Sequence, residues 1–141
     1  MHPITKRQSE QMLGVLDRLP EYGADLGAVF YDEMLAAHPE LRPLFDTNLT
    51  AQIAVMNHTL RALAAIAAIE GALDQTVREI ARRHVDYGVV AEHYVIAERT
   101  LLRALLKLEG VKISEEECAA WTALAREVSA AMMQETLAQT A

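Results

Sequence analysis

Leu73-Asp74-Gln75-Thr76-Val77-Arg78-Glu79-Ile80-Ala81-Arg82-Arg83-His84-Val85 is the stretch on which the fold turns. Val77, Ile80, Ala81 and His84 recur at i, i+3, i+4 and i+7, the spacing of one face of an α-helix. Arg78, Arg82 and Asp86 fall elsewhere on the wheel. The segment reads as an amphipathic helix that turns an imidazole inward and ends by Gly88.

Working outward, the same periodicity continues. Only six glycines and four prolines interrupt 141 residues, and the long segments are rich in Ala, Leu, Glu, Arg and Met, which favour helix. Runs of β-branched or aromatic residues in strict alternation are missing, so no strand is expected. Thr5 with Gln8 forms a capping box that opens a first helix ending near Leu19-Pro20. A second helix is expected from about Ala24 to Ala37, stopped by Pro39. A short, tight helical piece follows from Pro39 to Phe45, then a polar corner at Asp46, Thr47 and Asn48 with capping side chains. A long helix is expected from about Thr50 to Ile69 with Gly71 as its stop. The helix of Leu73 to Val85 comes next, then one from Ala91 to Leu108 with Gly110 after it. Ser114 with Glu117 is a second capping box, opening a last helix to about Leu137. Glu115, Glu116 and Glu117 read as charge complementing that helix start, not as a metal site. The expectation is an all-α chain of about six main helices plus one short one, forming a single domain over residues 1–141.

Composition bounds the function. A chain of this length can bury roughly 70% of its unfolded surface and needs no disulfide or metal to fold. Thirteen basic against 20 acidic residues give a net charge of −7, which argues against a nucleic-acid partner. Cys118 is alone, so no intramolecular disulfide is expected and a reducing, cytoplasmic setting follows. The N-terminal residues lack an apolar stretch behind their charges, so no signal peptide is expected. The longest apolar run, Ala62 to Ile69, is too short to cross a bilayer, so no membrane partner is expected.

Among five histidines, His84 has two readings. It is a core residue bonded to a backbone carbonyl, or a ligand of a metal or haem, because neutral imidazole is a common axial donor. His58 points away from the stripe of Gln52, Met56, Leu60 and Leu63 and reads as solvated. His38 sits at a helix end, His93 near a helix start, and His2 at a frayed terminus. Ala24, Gly27, Tyr31 and Met34 share a face whose small members permit a close helix crossing. A phenol there must find a partner, either a neighbouring helix or a bound ligand. Gln52 is a polar group on an apolar face, costly unless paired. Three inward polar groups on three helices, lined otherwise by apolar residues, have the anatomy of a cofactor pocket.

The stretch Phe30-Tyr31-Asp32-Glu33-Met34-Leu35-Ala36-Ala37-His38-Pro39-Glu40-Leu41-Arg42-Pro43-Leu44-Phe45 resembles the signature of bacterial single-domain globins and of the haem domain of flavohaemoglobins. So does Arg82-Arg83-His84-Val85-Asp86-Tyr87-Gly88-Val89, followed by His93-Tyr94. The likeness covers the whole chain and implies a globin fold whose fourth helix is short or missing, around a pocket for haem b. It implies His84 as the proximal ligand of the iron and Phe45 as the phenylalanine packed on the porphyrin face. Tyr31 matches the distal tyrosine that donates to bound dioxygen, and Gln52 the distal glutamine. Met56 takes the place of a bulky apolar residue beside the ligand. Arg83 is placed near a haem propionate or, equally, on the surface. Tyr94 matches the tyrosine of a proximal His-Tyr-Glu network.

In that network the sequence departs from the family. The glutamate position holds Thr136, with Glu135 adjacent, and a further family tyrosine is replaced by Ala125. A strong proximal push would then require Glu135 to substitute, through a rotation or one-residue shift of the last helix. The resemblance implies reversible binding of dioxygen and nitric oxide at a five-coordinate haem iron, by a monomer or homodimer. It further implies oxidation of nitric oxide to nitrate with a separate reductase, since the chain has room for no flavin or nicotinamide domain. A haem-based gas sensor acting through a partner or oligomer is the alternative.

Overall fold

The computed structural model describes residues 3–21, 25–45 and 47–140. Among these it contains α1 (Lys6–Asp17), α2 (Leu26–Ala37), a 3-10 helix (Pro39–Leu44), α3 (Leu49–Ile66), α4 (Ala72–Asp86), α5 (Ala91–Lys107) and α6 (Glu115–Thr140), and no strand. The expected series of six helices and a short one is present. No helix among them is long and apolar enough to cross a membrane.

Local chemistry sets most boundaries. The Thr5 hydroxyl accepts from Gln8 N–H while the Gln8 side chain accepts from Thr5 N–H, closing the expected capping box. Ser114 and Glu117 do the same for α6. Asn48 caps α3 by accepting from Ala51 N–H. Asp25 caps α2 in extended conformation, so that helix starts at Leu26, later than its sequence suggests. Ala24 and Asp46 lie outside the described residues. The long helix stops at Ile66 and not Ile69: residues 67–71 form turns that lead into α4. At the other end, α6 runs past Leu137 to Thr140.

α6 is the organising helix, packed against α4, α5 and α1; α2 lies on α5 and α3, and α1 also rests on α3. The core follows from these crossings. Met12 and Val15 of α1, Leu26 of α2, Val77 of α4, Leu105 of α5 and Trp121 and Leu124 of α6 are fully or almost fully buried. Each such apolar side chain contributes about 1.5–3 kcal/mol. α1 is keyed in place by polar contacts as well. Ser9 Oγ donates to Ala64 O at 2.5 Å, and Arg18 makes a two-pronged ion pair with Glu117 at 2.8 and 2.9 Å. Arg7 and Gln11 both donate to Glu116. Two of the three glutamates at the start of α6 therefore also fasten α1.

α2 and α3 cross closely at Gly27. A Cβ there would lie 2.6 Å from Asn57 Oδ1 and 3.0 Å from Ile53 O. Gly27 N–H donates to that same Asn57 oxygen at 2.7 Å. The small residue lets one helix backbone bond directly to a side chain of the other, and this brings Tyr31, one turn on, over the face of α3 that carries Gln52.

Candidate functional site

The residues singled out from the sequence gather into two groups. The first lies on α2, the short helix and α3. Tyr31 is 2% exposed. Its ring meets Phe30 at 5.2 Å and Phe45 at 5.1 Å, both edge-on, a favoured arrangement for aromatic pairs. Phe45 follows the short helix in extended conformation, its N–H donating to Arg42 O. The Arg42 guanidinium donates onward to Phe45 O and Thr47 O, bracing the corner. Burial pushes the Tyr31 phenol above its ordinary pKa, and the Gln52 amide acts on it the other way. Gln52 is thus the polar side chain that acts on the buried Tyr31 hydroxyl. Met56, one turn past Gln52 on α3, is half-buried against the core.

The second group lies on α4 and α5. His84 is in the last turn of α4, half-buried, with Nδ1 2.8 Å from Ile80 O. A carbonyl only accepts, so Nδ1 carries the hydrogen and Nε2 presents a lone pair. Burial depresses the His84 pKa, the Ile80 carbonyl opposes this, and the neighbouring Arg83 charge adds to the fall. The imidazole is thus neutral at pH 7. The backbone bond of the first reading is present; it fixes the ring and leaves the second nitrogen without a hydrogen bond among the described residues. The imidazole ring lies 5.9 Å from the Tyr87 ring and 6.4 Å from the Tyr94 ring. Gly88, at φ +89°, ends α4 with a left-handed turn in which Val89 N–H donates back to His84 O. Leu44 Cδ2 lies 3.7 Å from where a Gly88 Cβ would be, so the short helix reaches the turn behind the histidine.

The remaining residues sort themselves by burial. Arg83 is exposed and forms no ion pair among the described residues. His58 is exposed. His93 Nδ1 accepts from Val90 N–H, capping α5, and His38 faces Glu40. Tyr94 and Thr136 are 6% and 2% exposed, and neither hydroxyl makes a hydrogen bond of ordinary geometry. Burial pushes the Tyr94 phenol up, and Thr136 is the polar side chain that acts on it from α6. Glu135 does not reach this side. Its carboxylate accepts from Arg82 at 2.7 Å and Arg78 at 3.5 Å.

Two features were not singled out from the sequence. Asn57 follows Met56 and takes part in the α2–α3 crossing; the glycine at 27 was its only signal. The α4–α6 contact through Arg78, Arg82 and Glu135 had none, because it pairs residues more than fifty positions apart.

Among the described residues, no group of three or more His, Cys, Asp or Glu could hold a metal ion. A metal taken by the lone Nε2 of His84 would need its other ligands from a non-protein scaffold such as a tetrapyrrole. The donor set fits such a group: one neutral imidazole, apolar and aromatic walls, and a phenol and an amide apart from it.

Known proteins agree with this architecture. The chain is 37% identical over 111 residues to a flavohemoprotein of Bordetella pertussis, covering 74% of this chain and 27% of that protein. It is 30% identical over 133 residues to a flavohemoprotein of Deinococcus radiodurans, covering 92% of this chain and 33% of that protein. The chain thus spans about a third or less of the length of these relatives. In fold, it matches a bacterial globin from Campylobacter jejuni with a TM-score of 0.77 at 24% identity, over 96% of this chain and 99% of that one. It matches an engineered carbene transferase from Rhodothermus marinus, described as a candidate nitric oxide dioxygenase, with a TM-score of 0.78 at 20% identity, over 97% and 96%. The sequence model of the globin family matches residues 28–132, and the chain belongs to that family.

Proposed function

We propose that the chain binds haem b and uses it to take up dioxygen and nitric oxide reversibly, and that it oxidises nitric oxide to nitrate when a separate reductase supplies electrons. The observation that carries this reading is the state of two polar groups. His84 has Nδ1 bound to Ile80 O, which leaves Nε2 as a fixed neutral donor, and the Tyr31 phenol is buried between Phe30 and Phe45. The names of the relatives support the choice of cofactor and chemistry.

Haem, when bound, would supply an iron able to take up a diatomic gas. Every other contribution is the protein's own. His84 would hold the iron through Nε2, with its ring set by Ile80 O. Phe45 packs against the porphyrin face, and Met56 forms an apolar wall that excludes water. Tyr31 would be the hydrogen-bond donor toward a bound gas, with Gln52 as the neighbouring polar side chain that orients the phenol. Such a bond counts for more in a dry pocket than in water. Arg83, exposed beside His84, is the cation we assign to a haem propionate. Tyr94 lies beneath the imidazole with neutral Thr136 behind it and no carboxylate. The proximal side therefore makes the imidazole an ordinary neutral donor, which suits reversible gas binding over peroxidase-like chemistry.

Absorption spectra of the ferric, ferrous and oxygenated protein test the cofactor, with a Soret band and a stable oxygenated form expected. Nitric oxide consumption with a supplied reductase tests the activity, with many turnovers per chain expected. A protein with the bands that stops after one turnover would leave the gas-binding role standing and remove the dioxygenase role.

A further inference from the structure

One buried carboxylate has no part in the site described above. Glu135, on α6, is only 7% exposed. Its Oε1 accepts from Arg82 Nε at 2.7 Å and from Gln139 at 3.2 Å, and its Oε2 accepts from Arg78 Nη1 at 3.5 Å. Arg78 is in turn held by Asp74 at 2.9 Å and by Gln134 at 3.1 Å. Asp74, Arg78 and Arg82 follow one another at intervals of four along α4, so α6 grips one edge of that helix over two successive turns. The gripped segment includes Ile80, whose carbonyl fixes the His84 ring. The neighbouring residue, Thr136, acts on Tyr94, whose ring lies 6.4 Å from the imidazole.

We propose that Glu135 is a positioning residue for His84: its ion pairs with Arg78 and Arg82 set how α4 is seated on α6, and hence where the imidazole meets the iron. This rests on the haem-binding reading above. Exposed ion pairs hold little, but the Glu135 side chain is only 10% exposed and is held from two successive turns of α4. Sliding or rotating α4 would strand it. Arg82 above all holds the Glu135 carboxyl below the usual carboxylate range, in keeping with a permanently charged clamp.

The test uses the haem-loaded protein with Glu135→Ala, Glu135→Gln and, as control, Glu117→Gln, which loosens α6 from α1 and leaves α4 alone. The readouts are the iron–histidine stretching band of the ferrous protein and the rate of haem transfer to an excess of haem-free acceptor. Glu135→Ala is expected to shift or broaden the band and speed haem loss roughly tenfold, the lower end for groups that orient a ligand. Glu135→Gln, which keeps the shape and some hydrogen bonds, is expected to fall between it and the wild type, and carries the test if the alanine variant does not fold. The control is expected to lower thermal stability with the band unmoved. A band and haem-loss rate in both Glu135 variants equal to those of the control would overturn the proposal. If the wild-type protein holds no haem, the haem-binding reading fails separately, and amide exchange in the haem-free chain decides the clamp. Faster exchange confined to residues 80–88 in the Glu135 variants supports it; uniform acceleration overturns it.

Discussion

Gly27→Ala is the substitution whose effect the structure fixes most tightly. The new Cβ would meet Asn57 Oδ1 at 2.6 Å and the Ile53 carbonyl at 3.0 Å, and something must move. Overpacking of this kind costs about 1–3 kcal/mol. The bond from Gly27 N–H to Asn57 at 2.7 Å would be strained, adding about 1 kcal/mol. Alanine's better helix propensity returns at most about 1 kcal/mol. The balance is a loss of about 1–3 kcal/mol, or roughly 3–4 °C in Tm for each kcal/mol in a chain of this size. Urea unfolding followed by circular dichroism at 222 nm measures it. The decisive comparison is the same substitution in an Asn57→Ala background, where the nearer obstacle and the bond are gone and only the Ile53 carbonyl remains. There the cost should shrink by about 1 kcal/mol or more, a coupling normal for residues in contact. Equal costs in the two backgrounds would refute the reasoning, because Asn57 would then not be what separates the helices. A wedge at Gly27 also lifts Tyr31 from Gln52, so gas dissociation should quicken along with the loss of stability.

His84→Ala should abolish the Soret band of the purified protein and regain it with added imidazole; an unchanged spectrum would remove His84 as the ligand. Tyr31→Phe should lose one donor bond worth about 1–3 kcal/mol, hence dioxygen release about 5–150-fold faster by stopped flow; an unaltered rate would mean the phenol points elsewhere. Arg18, through its hydrogen bonds and charge, holds the Glu117 carboxyl below the usual range. A carboxyl with a lowered folded-state pKa adds stability that is present above its unfolded value, near about 4.3, and is lost as pH falls through the depressed value. The Tm gap between wild type and Glu117→Gln should therefore be widest at neutral pH and close toward pH 3; a gap independent of pH would show that the charge is not what stabilises.

Features that depend on near neighbours in sequence were legible; those that depend on a distant partner were not. The capping boxes at Thr5 and Ser114, the glycine turn after His84 and the inward stripe of α4 each follow from a few consecutive residues, and each stands where its pattern puts it. The end of α3 was misjudged because Ala67, Ala68 and Ile69 favour helix as much as the residues before them; the turn into α4 is imposed by packing, which buries Ala67. Tyr31 and Gln52 could be named singly, but that the amide acts on the phenol depends on how α2 crosses α3 at Gly27. The order of Glu135 and Thr136 was visible, yet only the pairing of α4 with α6 decides that the carboxylate faces two arginines and the neutral hydroxyl faces Tyr94.

The fastening of α1 to α6 also has a consequence in time. Arg18 finds Glu117 across 99 positions of chain, and Arg7 finds Glu116 across 109. At about 5–20 residues per second of synthesis, α1 leaves the ribosome roughly 5–20 s before its ionic partners exist. During that interval it can lean on α3, through Ser9 and Asp17, but Met12 and Val15 cannot be fully covered. A nascent chain stalled before Glu115 should thus expose this apolar face of α1 to chaperones, and only the arrival of α6 closes it.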